Sequence, residues 1–220
     1  MDTSYSRRLF VEGGSFLTRY AHRKRIAILK RILRNRTFPT ALDYGCADGW
    51  ILRDLVKNRF VLKGVGVDLD HRMVERARED SLGDPRLAFY PLGEVNRWGK
   101  REGYSLILCL ETLEHVEEPR RILSLFSELL ERGGFLILSV PIEIGPALLL
   151  KQAGRFFTHL IGGYGYERYQ MRELLWGLLG RVERIPSSHQ RLDLTYKGHK
   201  GFDYRRIGED LKRFFPRIKK

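Results

Sequence analysis

Residues 20–34, YAHRKRIAILKRILR, carry apolar positions at helical spacing. At 100° per residue Ile26, Ile28, Leu29, Ile32 and Leu33 fall in one arc, opposite Arg23, Lys24, Lys30, Arg31 and Arg34. From residue 40 the pattern changes to short apolar runs alternating with helical stretches. Strands are predicted at Thr40–Tyr44, Leu62–Asp68, Leu87–Tyr90, Tyr104–Leu110 and Gly134–Val140, and helices near 48–57, 71–80 and 118–131. Apolar strands alternating with helices imply a parallel sheet covered on both faces. Ligands of such sheets bind beyond the C-terminal strand ends, near the point where strand order reverses. After Pro141 the alternation stops, and residues 142–200 read as an insertion containing a second amphipathic helix, ALLLKQAGRFFTHLI at 147–161. Its apolar arc runs through Leu149, Leu150, Ala153, Phe156, Phe157, Leu160 and Ile161. An aromatic and basic stretch follows, with Tyr164, Tyr166, Arg168, Tyr169, Met171 and Arg172. A last helix is predicted at Tyr204–Phe215.

With 220 residues and no internal repeat, a single domain is expected. Its parts are a basic helical segment at 1–36, a core at 37–141, an insertion at 142–200, and a last helix with a basic tail at 201–220. No apolar run approaches the roughly 20 residues of a bilayer span. The N-terminus lacks the apolar stretch of a secretory signal, and two cysteines, Cys46 and Cys109, suit a reducing compartment. A cytoplasmic protein, peripheral at the membrane if its basic ends act as anchors, is the expectation.

The net charge of +13 sits at the ends. Residues 1–36 carry +8, residues 197–220 carry +6, and the span between them is −1. Such ends suit phosphate on lipid headgroups, nucleic acid or substrate. The near-neutral body disfavours nucleic acid, which needs a basic track leading into the site.

The chemistry concentrates in Leu42-Asp43-Tyr44-Gly45-Cys46-Ala47-Asp48-Gly49-Trp50, which ends one strand and opens a helix. Gly45 and Gly49 let the backbone turn tightly and approach a ligand closely. A glycine loop by itself is common to several nucleotide-binding folds and also to bare turns. The acids narrow the choice. A pyrophosphate at this helix start would be repelled by Asp43 and Asp48. Asp68, ending the second strand 19 residues after Gly49, is placed to accept two ribose hydroxyls. A nucleoside with a cationic, amino-acid-bearing tail satisfies all three acids, and S-adenosylmethionine is such a molecule.

The chain resembles the class I S-adenosylmethionine-dependent methyltransferases. The motifs are LDYGCADGW at 42–50, GVGVDLD at 64–70, Gly93-Glu94, LILCLETLEHVEEP at 106–119 and GGFLILSVP at 133–141. Ala47 departs from the glycine usual there, and Glu94 replaces the usual Asp. The resemblance implies a Rossmann-like three-layer sandwich, mostly parallel, with core strand order 3-2-1-4-5 and a helical lid. Because the chain stops at Lys220, the family's final antiparallel strand pair is expected to be short or missing. The resemblance places Asp43, Gly45, Cys46, Ala47 and Gly49 at the methionine end and Asp68 at the ribose. It places Leu69 beside the adenine, Gly93 and Glu94 at the adenine edge, and Leu110 and Glu111 along the transfer side. S-adenosyl-L-homocysteine would be the product.

Glu111-Thr112-Leu113-Glu114-His115 groups two carboxylates and an imidazole just beyond a strand. In some relatives this arrangement and a later histidine, for which His199 is the candidate, ligate a divalent cation. In many others it buttresses the loop under the cofactor. The second reading is adopted, with no metal, and with His115 and Glu111 as candidate catalytic groups. The implied function is methyl transfer to a small-molecule, sugar or lipid-linked acceptor. The alternatives are an RNA or protein methyltransferase, or a non-catalytic cofactor-binding relative. An anionic membrane surface and a second copy of the chain are the further partner candidates.

Overall fold

The computed structural model describes residues 16–99, 103–162, 169–186, 189–192, 194–197 and 200–215. The chain groups into two compact units, Met1–Leu110 with Glu128–Leu138, and Glu111–Ser127 with Ser139–Lys220.

The first unit is built on a five-stranded sheet of order β3-β2-β1-β4-β5. Its strands are β1 (Phe38–Tyr44), β2 (Val61–Asp68), β3 (Leu87–Pro91), β4 (Tyr104–Leu110) and β5 (Leu130–Ser139). β1 pairs in parallel with β2 and β4, and β2 pairs in parallel with β3. The strand order reverses at β1, so β1 ends at the switch point where such sheets take ligands. β1 begins two residues earlier than the apolar pattern suggests, at Phe38-Pro39. Its register with β4 begins only at Ala41↔Leu106, so the amide that Pro39 lacks is not needed there. Below that point a side-chain clamp replaces the ladder. Ser105 Oγ donates to the Thr40 carbonyl at 2.6 Å and accepts from the Thr40 amide at 3.0 Å.

Between the strands run α2 (Trp50–Lys57), α3 (His71–Glu79) and the one-turn α4 (Val95–Trp98), and α5 (Pro119–Leu129) precedes β5. Asp70 caps α3 by accepting from the Arg72 amide at 2.9 Å. The two glycines of β2 follow from packing. A Cβ on Gly64 would lie 2.8 Å from Leu52, and one on Gly66 would lie 2.5 Å from the Phe89 ring. The core joins Leu52, Leu55 and Val56 of α2, Ala41 of β1, Phe89 of β3 and Leu106 and Leu108 of β4.

The N-terminal helix α1 (Phe16–Leu33) adds Leu29 and Leu33 to this core. Here the structure corrects the helical arc. Ile28 and Ile32, counted above on the buried side, remain more than half exposed. The i, i+4 pair Leu29 and Leu33 settles which direction faces inward.

The second unit holds the single helical turn Leu113–His115, then α6 (Pro146–Gly162), α7 (Met171–Leu178), the antiparallel pair β6 (His189–Leu192) and β7 (Leu194–Lys197), and α8 (Tyr204–Phe214). Its small core is Ile144, Val182 and Ile185, with Tyr169 and Trp176 against it. α6 and α7 approach closely because Gly177 has no Cβ; one would lie 2.3 Å from Leu148. Leu148 is fully buried while Leu149 and Leu150 are exposed, so the inward face of α6 starts one residue before the expected arc. The side chains beyond residue 154 of that arc, and Tyr164, Tyr166 and Arg168, lie outside the described residues. The β6–β7 pair, which the reading of 142–200 as a helical insertion did not anticipate, precedes the last helix and is separate from the five-stranded sheet.

Candidate functional site

The loop leaving β1 turns through left-handed backbone at three of five positions, with φ 80° at Gly45, 48° at Ala47 and 68° at Gly49. Those angles delay helix α2 to Trp50, two residues after the expected start. The turn is pinned to β2, because the Gly45 and Cys46 amides both donate to the Val67 carbonyl, at 2.8 and 3.0 Å. Gly49 cannot carry a side chain, since a Cβ would meet the Phe89 ring at 2.4 Å. Phe89, buried on β3, is thus the floor of the loop. Sequence reasoning missed it, although the paired glycines of β2 and the loop signal a large neighbour. Ala47 is the strained position, an L-residue in left-handed backbone.

Asp68 ends β2 and is fixed by two backbone donors, the Ala47 amide on Oδ2 at 2.8 Å and the Asp70 amide on Oδ1 at 2.9 Å. Burial raises its pKa, and these two amides partly offset the rise. Asp43, the last residue but one of β1, is almost entirely buried. Burial, and secondarily the Asp68 charge, push its pKa up to about 7. Two carboxylates in one strand-end cradle are costly when nothing cationic accompanies them. Their chemistry asks for a positive group. Burial also pushes the Cys46 thiol well up, so Cys46 lines the loop and is no nucleophile at neutral pH.

Asp48 behaves differently from its neighbours. It is fully buried, and its Oδ1 accepts from the Trp50 amide at 3.3 Å, which ties it to the start of α2. Its backbone carbonyl accepts from Arg53 at 2.6 Å. Both contacts tie the loop to the first turns of α2.

The remaining strand ends follow. Leu69 is half-exposed just past Asp68. The Leu92 amide donates to the Asp68 carbonyl at 2.8 Å, tying the exit of β3 to the end of β2. Gly93 comes next, with open space where a side chain would begin. The Glu94 carboxylate is held by Arg97 at 2.8 Å, and that guanidinium stacks on Tyr90 at 4.7 Å. Neither Tyr90 nor Arg97 was singled out from sequence.

Leu110 ends β4, half-buried. Glu111 opens the second unit with a left-handed φ of 52°. Its amide donates to the Ser139 carbonyl and its Oε1 accepts from Ser139 Oγ, both at 2.9 Å. A non-glycine residue held in this conformation marks a place where the surroundings override local preference. Glu114 is buried and His115 half-buried in the turn that follows, and His199 lies outside the described residues. Among the described residues no three His, Cys, Asp or Glu side chains form a group that could hold a metal ion.

The comparisons agree with this geometry. Residues 17–189 match the family described as a methyltransferase domain. The chain is 33% identical over 103 residues to the mitochondrial ubiquinone biosynthesis O-methyltransferase of Candida albicans, covering 46% of this chain and 32% of that one. It is 28% identical over 134 residues to the corresponding Schizosaccharomyces pombe enzyme, covering 58% and 48%. The chain therefore spans a third to a half of the length of these relatives. Among solved structures, the (4+2) cyclase SpnF aligns with a TM-score of 0.50 at 14% identity, covering 77% of this chain and 60% of that one. That likeness concerns the fold alone. With most of its length matched to one family, and with that family's sheet order, this chain belongs to the methyltransferase-domain family.

Proposed function

We propose that the protein is an S-adenosylmethionine-dependent methyltransferase acting on a small-molecule acceptor. The observation that carries the reading is the pair of carboxylates, buried Asp43 and half-buried Asp68, at the ends of adjacent strands β1 and β2. The residues fit the cofactor. Asp43 and the glycine turn would take the cationic methionine end, with Gly45, Cys46, Ala47 and Gly49 supplying close backbone. Asp68, each oxygen already aimed by an amide, keeps lone pairs for both ribose hydroxyls. Leu69 would lie along the adenine, with Gly93 and Glu94 at its edge. A phosphate-bearing dinucleotide would meet repulsion at the same place.

When bound, the cofactor supplies an electrophilic methyl group on a sulfonium, leaving S-adenosyl-L-homocysteine. The chain's work is to hold the acceptor nucleophile in line and to remove its proton. Leu110 would line the transfer side. His115 and Glu111, on the segment leaving β4, are the proposed proton acceptors, and the Ser139 hydroxyl orients the Glu111 carboxylate.

The relatives' names make a small-molecule hydroxyl the first acceptor to test. Incubation with methyl-labelled cofactor and separate panels of small hydroxylated molecules, RNA and protein should label the first panel. Label in RNA or protein would replace the acceptor class. Cofactor binding without transfer to any panel would place the chain among non-catalytic relatives. Of the other partner candidates, an anionic lipid surface is preferred to nucleic acid and to a second copy. No described helix is long and apolar enough to cross a membrane.

A further inference from the structure

Helix α1 buries only one of its two apolar rows. Leu29 and Leu33 are in the core. Beside that buried row, Tyr20, Lys24, Ile28 and Ile32 form a second row at four-residue spacing that stays exposed. Tyr20 is 52% exposed, Ile28 56% and Ile32 54%, and the Lys24 ammonium sits 5.4 Å from the Tyr20 ring centre. The polar residues of this helix are as one-sided in charge. Its 18 residues include Arg19, Arg23, Lys24, Arg25, Lys30 and Arg31, and no Asp or Glu. Lys30 is paired with Asp54 at 2.7 Å, while Arg23, Lys24, Arg31 and the following Arg34 are exposed.

We infer that this face of α1 docks on an anionic lipid bilayer, with Ile28 and Ile32 entering the boundary between headgroups and acyl chains. Lys24 and Arg31, four residues before and three after Ile28, flank the exposed isoleucines, which is the composition of an interfacial helix. Lys24 and Arg31 have long aliphatic stems, so their charges can reach lipid phosphates while the neighbouring isoleucines lie deeper. A nucleic acid would use the cations and leave two isoleucines in water. A protein groove would have to match several cations besides the apolar row. An anionic bilayer satisfies both kinds of side chain together, and the +8 charge of residues 1–36 favours its surface. This surface is independent of methyl transfer, so its failure would leave the proposed activity standing.

The test is co-sedimentation of the full chain with phosphatidylcholine vesicles, with and without about 30% phosphatidylglycerol, at near-physiological salt. The protein should pellet with the anionic vesicles and not with the neutral ones. The variant I28S/I32S, unchanged in charge, should partition about tenfold less or weaker still, and K24E/R31E should lose binding as well. Both positions are exposed, so thermal unfolding should be unaltered. The single variant I28S repeats the test at lower amplitude if the double one misfolds. Absence of vesicle binding, or equal binding by I28S/I32S, would overturn the inference. So would tRNA binding tighter than vesicle binding and insensitive to the isoleucines, or a dimer that I28S/I32S dissolves.

Discussion

The Ala47 amide donates to Asp68 Oδ2 across 2.8 Å, joining the loop after β1 to the end of β2. This one bond ties the turn expected to hold the methionine end to the carboxylate expected to hold the ribose. It also aims the Asp68 carboxylate before any ligand arrives, which reduces the ordering cost of binding.

Asp43 makes stability and binding depend on pH. Its pKa is near 7 in the fold and near 3.8 in an exposed chain, so the folded state holds the extra proton between those values. Its contribution is therefore full below pH 4 and is lost as pH rises through 7. Relative to Asp43→Asn, the ligand-free native protein should lose about 2–4 kcal/mol between pH 4 and 8. Denaturant titrations of both proteins across that range measure it. A cation beside Asp43 lowers its pKa, so cofactor binding at pH 6 should release a proton, read from binding enthalpies in buffers of different ionisation heat. No proton release, with parallel stability curves, would show that Asp43 stays ionised.

Phe89 sets the cost of side chains at two glycines. Gly66→Ala clashes with its ring without a backbone conflict, whereas Gly49→Ala adds left-handed strain to the clash. Each should destabilise by about 2–4 kcal/mol, as overpacking does. In a Phe89→Ala background most of the Gly66→Ala cost should vanish, the 2.9 Å approach to the Cys46 Sγ remaining, while about 1 kcal/mol of backbone strain should remain for Gly49→Ala. Thermal unfolding of the double-mutant cycle decides this, and equal relief at both positions would refute the backbone argument.

Ala47 offers the opposite case. Its φ of 48° favours glycine by roughly 1–2 kcal/mol in the fold, against up to about 1 kcal/mol of added chain entropy on unfolding. Ala47→Gly should thus be neutral to stabilising by about 1 kcal/mol, while Ala47→Val should destabilise clearly. Chemical denaturation of the pair checks the ordering.

The strands and the strand-end acids were legible in the sequence because both are local, whereas the sheet order came from the resemblance to the methyltransferases. Apolar runs mark β1 to β5, and Asp43 and Asp68 fall where parallel strands stop. Which stripe of α1 turns inward was not legible, because Ile28 and Leu29 are equally apolar and only their neighbours distinguish them. Asp48 looked like a ligand-facing acid, and in the fold its Oδ1 accepts from the Trp50 amide at the start of α2. The Glu94 carboxylate is taken by Arg97, a contact set by the short helix α4. Ser139, bonded to Glu111, comes from a strand 28 residues away in the chain, and no local pattern signals such a partner.

The most direct measurement of the central claim is a calorimetric titration of S-adenosyl-L-homocysteine into the purified protein, beside Asp68→Ala and an NAD control. The wild-type chain should bind the nucleoside saturably at one site. Asp68→Ala should weaken it by about 1.5–3 kcal/mol, the range for losing hydrogen bonds to a charged acceptor, and NAD should give no detectable heat. Unchanged affinity in Asp68→Ala, or NAD binding of comparable strength, would contradict the assignment of the β1–β2 strand ends to this cofactor.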